Sequence, residues 1–370
     1  MTAQPPAAST PHLPGPCPVV QDETGAYVLS SHRDVAGAAL DHGAFSNAVS
    51  RFLQVPNGLD GPRHSLARAV VDKYFAPDRM RAVAPDLERV AAQTLAELDL
   101  PGPVDAVQVG SRYAVRAQSV WLGWPAELED GLLQWMRDNH AATRSGERLR
   151  TAEVAQTFDQ IIRSLINARR GAPGAPADLT AELMADRTAG RPLTDEEIVS
   201  ILRNWTGGDL GSMALCAGVV LIYLADHPDL QDRLRAGVSD REFDAVVDEI
   251  LRIDDPFTAN RRMTTQDVTV AGCPIPAGER VFLNWMAANR DPEIFGDPDR
   301  FDPARNAPYN LVWGIGKHVC PGRPLALLEL RVFLRAVLAA STSIEPDPDR
   351  DRERERPPVG GYAVAPVLVR

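Results

Sequence analysis

Ten residues, Trp313 to Gly322 (W-G-I-G-K-H-V-C-P-G), concentrate reactive side chains in an otherwise ordinary acidic chain. Cys320 stands just before a stretch, Gly322 through Ala339, that carries Leu325, Leu328, Val332 and Leu338 among charged residues, with Pro324 in its first turn. A cysteine entering a helix there has its thiolate stabilised by the helix dipole and the free backbone N–H groups. Gly314 and Gly316 let the backbone pass close to something flat, and a planar cofactor meets that description. A tight glycine turn around a buried thiol is the alternative.

Two further pairs are spaced to share a helical face. His64 and Arg68, at i and i+4, present two cations suited to a carboxylate. Glu249 and Arg252, at i and i+3, can form an ion pair. Asp209 lies in T-G-G-D-L-G-S, Thr206 to Ser212, inside a long apolar segment opened by a T-D-E-E capping box at Thr194 and Glu197. Glycine costs roughly 1 kcal/mol against alanine in a helix interior, so this cluster needs a reason: a widened turn, or close helix packing.

The elements that must hold these groups are mostly helical. Residues 78–100, 126–143, 151–170 and 194–225 show apolar recurrence at three- and four-residue spacing or long helix-favouring runs. Short strands are expected at 27–30, 268–271, 280–283 and 363–369, each near Gly or Pro. The expected fold class is therefore mainly α with small β-sheets. Gly171 to Ala177, G-A-P-G-A-P-A, reads as a surface loop, since no change of composition marks a boundary there. The charged run Glu345 to Arg356 reads as a solvated hairpin or loop.

Composition excludes several classes. At 370 residues, 44% hydrophobic and 24% charged, the chain matches a folded globular protein. A net charge of −11 disfavours nucleic acid and anionic lipid as partners. The longest apolar run, Met213 to Ala225, falls short of the roughly 20 residues of a spanning helix, so no membrane segment is expected. The N-terminus has no basic residues and no apolar core, which makes the cytoplasm the default location. Asn204-Trp205-Thr206 matches a glycosylation sequon without a secretory route to use it. Cys17, Cys216, Cys273 and Cys320 lack C-x-x-C spacing, which argues against a zinc site or a disulfide scaffold and leaves any metal a single thiolate.

Trp313, Gly314, Gly316, His318, Cys320 and Gly322 together resemble the haem-binding loop of the cytochrome P450 family, with Trp in place of the usual Phe. Glu249-Ile250-Leu251-Arg252 resembles its E-x-x-R helix, and Phe301 to Arg305 resembles the meander whose arginine completes that ion network. His64 to Arg68 resembles the H-x-x-x-R of the C helix, and Arg262 matches an arginine leading the strand after E-x-x-R, with Arg261 as its rival. The resemblance runs from about Tyr27 to the C-terminus, with the segment between Ser46 and His64 looking trimmed and the pocket open there.

The resemblance implies a single haem-thiolate domain over 1–370, its β-rich part drawn from about 20–35, 257–283 and 342–370. Haem b would lie between a long distal helix and the cysteine loop. Cys320 would be the iron ligand, a thiolate favouring O–O cleavage, with His64, Arg68, Arg262 and His318 on the haem propionates. Asp209 would be the distal acid, in a widened turn leaving room for dioxygen. The alcohol that usually follows the acid is replaced by Leu210, which cannot exchange a proton. Water, Thr206, Ser212 or a substrate group would have to serve instead.

The implied activity is monooxygenation of a small to medium organic substrate with electrons from a redox partner. Lys317, Arg323, Arg331 and Arg335 would dock a ferredoxin-type partner on the proximal face, unless they are ordinary solvated helix charges. Leu210 keeps open a peroxide-driven or oxidative-coupling enzyme, and a haem carrier or sensor without turnover is a third reading. Trp205, Asn204, Phe257 to Asn260, Phe52 and Tyr362 are candidate pocket residues.

Overall fold

The structure, a computed structural model, describes residues 18–171, 174 and 176–370. In chain order its helices begin with α1 (His32–Leu40), α2 (Gly61–Val71), α3 (Pro77–Ala96), α4 (Ala106–Leu122), α5 (Glu129–Ser145), α6 (Arg148–Arg169), α7 (Leu179–Met184) and α8 (Asp195–Asp226). They continue with α9 (Pro228–Arg235), α10 (Asp240–Ile253), α11 (Trp285–Ala288), α12 (Pro292–Phe295), α13 (Pro303–Asn306) and α14 (Arg323–Ala339). The helices expected from periodicity are α3, α5, α6, α8 and α14. The mainly α fold class is as expected.

Helix α8 is the central rod, buried on most sides. Its capping box forms as the sequence suggests: Thr194 Oγ1 accepts from Glu197 N at 3.2 Å and Glu197 Oε2 accepts from Thr194 N at 2.8 Å. By length and composition α8 could cross a membrane, but 72% of its most apolar window is buried inside the protein, as in a core helix. It packs closely on α4. A Cβ on Gly110 would lie 2.7 Å from Ala217 Cβ, and one on Gly218 2.7 Å from Val107 Cγ2, so both glycines permit the approach.

The strands in chain order are β1 (Val20–Gln21), β2 (Tyr27–Leu29), β3 (Phe45–Ser46), β4 (Gly102–Asp105), β5 (Ala259–Thr264), β6 (Val268–Val270) and β7 (Cys273–Ile275). They end with β8 (Arg280–Asn284), β9 (Ile344–Pro346), β10 (Glu353–Arg354), β11 (Tyr362–Val364) and β12 (Pro366–Val369). The largest sheet has the order β1-β2-β8-β5-β3. In it β5 pairs with β8 in antiparallel register, Arg262 opposite Val281. Alternation along β5 leaves Arg261 exposed and buries Arg262. The single strand expected at 363–369 is two, separated at Ala365.

The Glu249–Arg252 pair is fully buried. Glu249 Oε2 accepts from Arg252 Nε at 2.8 Å, and Glu249 Oε1 accepts from Arg252 Nη2 at 2.9 Å, Asn306 Nδ2 at 2.7 Å and Asp302 N at 3.0 Å. Arg305, expected as the third member of this network, is exposed and takes no part. The α13 turn points residue 306 inward, so an amide completes the site.

The charged run from Glu345 is exposed but pinned: Arg352 pairs with Asp226 at 2.6 Å, Arg354 with Asp254 at 2.6 Å, and Glu355 with Arg144. Part of the loop expected at 171–177 lies outside the described residues. Cys216 and Cys320 are free thiols, whereas Cys273 is disulfide-bonded. The spacing argues against a disulfide scaffold, and a single bonded cysteine beside two free thiols is not one.

Candidate active site

A cavity of about 550 Å³ opens between α8 and the loop before α14. Cys320, Gly314, His318 and Gly322 line it from the loop, and Asn204, Trp205, Gly208, Asp209, Ser212 and Met213 from α8. The loop is shaped by two glycines in the left-handed region, Gly314 at φ 70° and Gly316 at φ 73°. A Cβ on Gly316 would come within 2.8 Å of Leu40 Cδ2. Trp313 Nε1 donates to Asp248 Oδ1 at 2.6 Å, and Arg323 pairs with the same carboxylate at 2.8 Å, so α10 clamps the loop from both ends. Burial pushes the Cys320 thiol up, and the N–H groups of Gly322 and Arg323 at the helix start offset only part of that. Burial thus favours the protonated sulfur, and a bound metal ion would favour the thiolate.

Four basic groups converge beside the loop. His64 and His318 have ring centroids 4.0 Å apart. His318 Nε2 lies 2.9 Å from Asn47 Nδ2 and 3.5 Å from Asp60 Oδ1. Arg262 is buried, its Nη1 donates to Arg261 O at 2.9 Å, and its Nε has no partner. Burial, with His64 and Arg262 adding repulsion, drives His318 down to about 4; burial brings Arg262 to about 10. Burial and Arg68 also lower His64. Four basic groups face two nearby acids among the described residues, Asp60 and Asp72, and Asp72 is taken up by Arg68, so the site is short of negative charge.

Arg262 and His318 line the cavity, but His64 and Arg68 stand behind its wall. Arg68 Nη1 donates to Lys317 O and Val319 O, both at 2.8 Å, and Nε to Asp72 at 2.6 Å. Its guanidinium is thus engaged in holding the loop. Of the four groups expected to meet a ligand, Arg262 and His318 are on the cavity wall, and His64 and Arg68 are not among the residues that line it.

Helix α8 runs unbroken through the glycines, so the widened turn is not present. A Cβ on Gly208 would meet nothing within 4 Å, whereas one on Gly211 would sit 3.0 Å from His140 Nε2. Gly208 therefore leaves space at the cavity and Gly211 admits the neighbouring helix. Leu210, taken from sequence as the residue facing a distal ligand, is fully buried in the core. Thr206 is buried too, bonded to Leu202 O at 2.7 Å. On α8 the alcohol that lines the cavity is Ser212, whose Oγ donates to Gly208 O at 2.6 Å, and Asp209 lines it too. Helical geometry explains the difference: 208 and 212 share a face, and 210 points nearly opposite.

Other expectations divide. Trp205, Asn204, Phe257 and Asn260 line the cavity; Phe52 is exposed beneath the Arg51 guanidinium, and Tyr362 is in the core under Arg354. The segment thought to leave the pocket open covers it, through Asn47, Val49, Ser50, Gln54 and Asn57. It is tied to α8: Val55 N donates to Ser200 Oγ at 2.8 Å and Asn204 Nδ2 to Val55 O at 2.8 Å. Gln118 of α4 and Glu329 of α14, which contact Asp209, were not anticipated. Neither carries a local sequence signal.

A family model described as Cytochrome P450 matches residues 140–366. The chain belongs to the cytochrome P450 family. The cyclomarin C epoxidase of Salinispora arenicola is 31% identical over 87% of this chain and 85% of its own length. The erythromycin C-12 hydroxylase of Saccharopolyspora erythraea is 30% identical over 87% and 83%. A mutant of P450 EryK in complex with erythromycin B superimposes with a TM-score of 0.85 at 28% identity, covering 95% of this chain and 93% of that one. This cytochrome P450 is accordingly a monooxygenase with a haem-thiolate cofactor.

The residues fit that cofactor. Its carboxylates would supply the anion missing beside Arg262 and His318, and a free thiol lies on the same cavity wall. Trp121, Trp205, Phe75 and Leu325 provide apolar surface for a macrocycle.

Proposed function

We propose that residues 1–370 form one haem-thiolate domain, with β-rich parts from about 20–35, 257–283 and 342–370, that binds haem b and oxidises a small to medium organic substrate of specialised metabolism. The observation that carries this reading is the cavity itself, lined both by Cys320 and by the anion-poor Arg262–His318 cluster. Haem, when bound, supplies the reductive activation of dioxygen.

Cys320 would hold the iron and Arg262 and His318 the propionates, with His64 packed behind His318 and Arg68 fixing the loop backbone. Asp209 and Ser212 would hold and pass protons at the distal wall. The carboxamides of Gln54, Asn57 and Asn260 and the guanidinium of Arg261 line the same cavity and would orient a partly polar substrate. Ser212 on the cavity wall offers the alcohol that Leu210 lacks, which supports the dioxygen-driven reading over the peroxide-driven one.

We assign the electron donor as a ferredoxin-type protein and the location as the cytoplasm. The docking cations differ from the sequence expectation, because Arg323, Arg331 and Arg335 are neutralised by Asp248, Asp244 and Asp240 of α10. Lys317 and Arg63 are exposed and have no carboxylate partner among the described residues, so they would carry the steering charge. The experiment is turnover with ferredoxin, ferredoxin reductase and NAD(P)H across a library of macrocyclic metabolites, wild type against Lys317→Glu. Slower reduction in the variant, abolished as a difference by salt, is expected; no oxidised product from any compound with any donor would reject the reading.

A further inference from the structure

Beside the cavity, four aromatic rings form one contiguous group. Trp205 of α8 has its ring centroid 5.1 Å from that of Trp121 of α4, 5.6 Å from Phe75 and 5.3 Å from Tyr74. Trp205, Trp121 and Phe75 line the cavity; Tyr74, in the turn after α2, does not and is fully buried. Phenylalanine at 74 would pack as well. The phenol instead meets an acid, for Tyr74 Oη donates to Asp186 Oδ2 at 2.8 Å.

Asp186 is itself held in place. Its Oδ1 accepts from Thr188 N at 2.7 Å, and Lys73, whose side chain reaches solvent, pairs with its Oδ2 at 2.5 Å. Against burial, which raises it, the bonds from Lys73 and Thr188 bring Asp186 down to about 2, so it is a carboxylate at neutral pH. Burial, and then the bond to Asp186, pushes the Tyr74 phenol up, so the reduced ring keeps its proton. Trp205 is placed differently: its Nε1 is buried without a partner. An aromatic ring that loses an electron becomes a much stronger acid, and it keeps the vacancy where a base within hydrogen-bond reach takes the proton. Trp205 has no such base and Tyr74 has one. The side chains at risk from a stray oxidant share the cavity, since Met213 and the thiols of Cys216 and Cys320 line it.

We propose that Trp205 and Tyr74 form a relay that drains oxidising equivalents from the cavity when turnover finds no substrate, with Asp186 as its proton acceptor; this goes beyond substrate oxidation and rests on haem bound in that cavity. In the step, the oxidant left by monooxygenase turnover gains one electron and Trp205 loses one. Trp205 regains an electron from Tyr74, the Tyr74 O–H bond breaks, and its proton moves to Asp186 Oδ2. A thiol or ascorbate in solution then returns one electron to the Tyr74 ring, and Asp186 returns the proton. Each passage carries one electron from the reductant to the cavity. Two passages, each matched by one proton from solvent, spend both equivalents of a turnover without product, and the oxygen leaves as water.

A purely structural cluster would pack these rings and carry no radical. The test mixes substrate-free ferric holoenzyme with a peracid, freezes it within milliseconds and records electron paramagnetic resonance for wild type, Tyr74→Phe, Trp205→Phe, Asp186→Asn and Trp313→Phe. Signals are normalised to the haem that shows thiolate ligation under carbon monoxide, so a variant with less haem is not mistaken for one without the relay. Wild type is expected to give a tyrosyl radical whose hyperfine pattern changes when the protein is made with ring-deuterated tyrosine. Tyr74→Phe is expected to lose it, Trp205→Phe and Asp186→Asn to cut its yield several-fold, and Trp313→Phe to leave it unchanged.

The second readout is the bleaching of haem under excess peroxide. Ascorbate is expected to slow it in wild type and to have no effect in Tyr74→Phe, which bleaches faster. If Tyr74→Phe does not fold, the deuterated wild type and Asp186→Asn still decide, through the identity of the radical and its yield. A tyrosyl signal that survives Tyr74→Phe would overturn the proposal, as would a wild type that forms no radical. So would a tryptophanyl radical that vanishes in Trp313→Phe, since the Trp313 indole already donates to a carboxylate, that of Asp248.

Discussion

His318 packs against His64 with ring centroids 4.0 Å apart and the ring planes tilted by 38°, and the two come from the cysteine loop and from α2. Two imidazoles and a buried guanidinium at one spot are held mostly uncharged or unpaired, which an unliganded surface cluster would not require. A carboxylate entering there gains from every member.

The first expected outcome follows from the unpaired Nε of Arg262. Arg262→Ala should weaken haem retention by about 2 kcal/mol, or roughly thirtyfold, the range for a charge-assisted hydrogen bond. Arg261→Ala should change it little, because that side chain is exposed and stands outside the buried Arg262–His318 cluster. The rate of haem transfer to an acceptor protein measures both.

Removing one partner from the buried Glu249–Arg252 pair leaves an uncompensated charge. Glu249→Gln should therefore cost about 3–5 kcal/mol in denaturant unfolding. Arg305→Ala should lie within about 0.5 kcal/mol of wild type, since its side chain is outside the network. The reverse order would restore the expectation drawn from sequence.

On α8, Leu210→Ala should destabilise by about 2–5 kcal/mol through a core cavity, without redirecting electrons to peroxide. Ser212→Ala should do the opposite: stability within about 1 kcal/mol, product formation down by about a hundredfold, peroxide up. Product, peroxide and unfolding measured on both variants separate the two roles.

These cases show what was legible. The cysteine loop, the E-x-x-R pair and the capping box are local patterns, and their geometry is set within a turn or two of chain. Helix α4 was missed because Ala106, Val107, Val109, Ala114, Val115 and Ala117 are buried around most of its circumference, so no polar stripe marks a period. Leu210 follows the acid in the motif but is buried in the core, and Ser212, two positions on, is turned by nearly half a revolution and lines the cavity. Arg305 and Asn306 are adjacent in sequence, and only the turn of α13 decides which of them meets Glu249. Gln118, Asp209 and Glu329 come from three distant segments, and nothing local to any of them announces the contact.

The helix cap offers a pH experiment. Glu197 is held low, to about 2, by its hydrogen bonds from Arg191 first and then from the Thr194 backbone, against its burial. A carboxyl lowered in the folded state stabilises fully above its unfolded value near 4.5 and loses that contribution as pH falls towards about 2. Glu197→Gln should cost about 1 kcal/mol at pH 7, and the difference from wild type should shrink progressively below pH ~4.5. Thermal unfolding across that window reads the effect; a difference constant with pH would contradict it.

The central claim is a bond between the Cys320 sulfur and haem iron. The most direct measurement is the absorption spectrum of the reduced protein under carbon monoxide, wild type beside Cys320→Ser. The expected result is the far red-shifted Soret band of thiolate ligation in wild type and its loss in the serine variant. A wild-type spectrum without that band, or a serine variant that retains it, would contradict the claim.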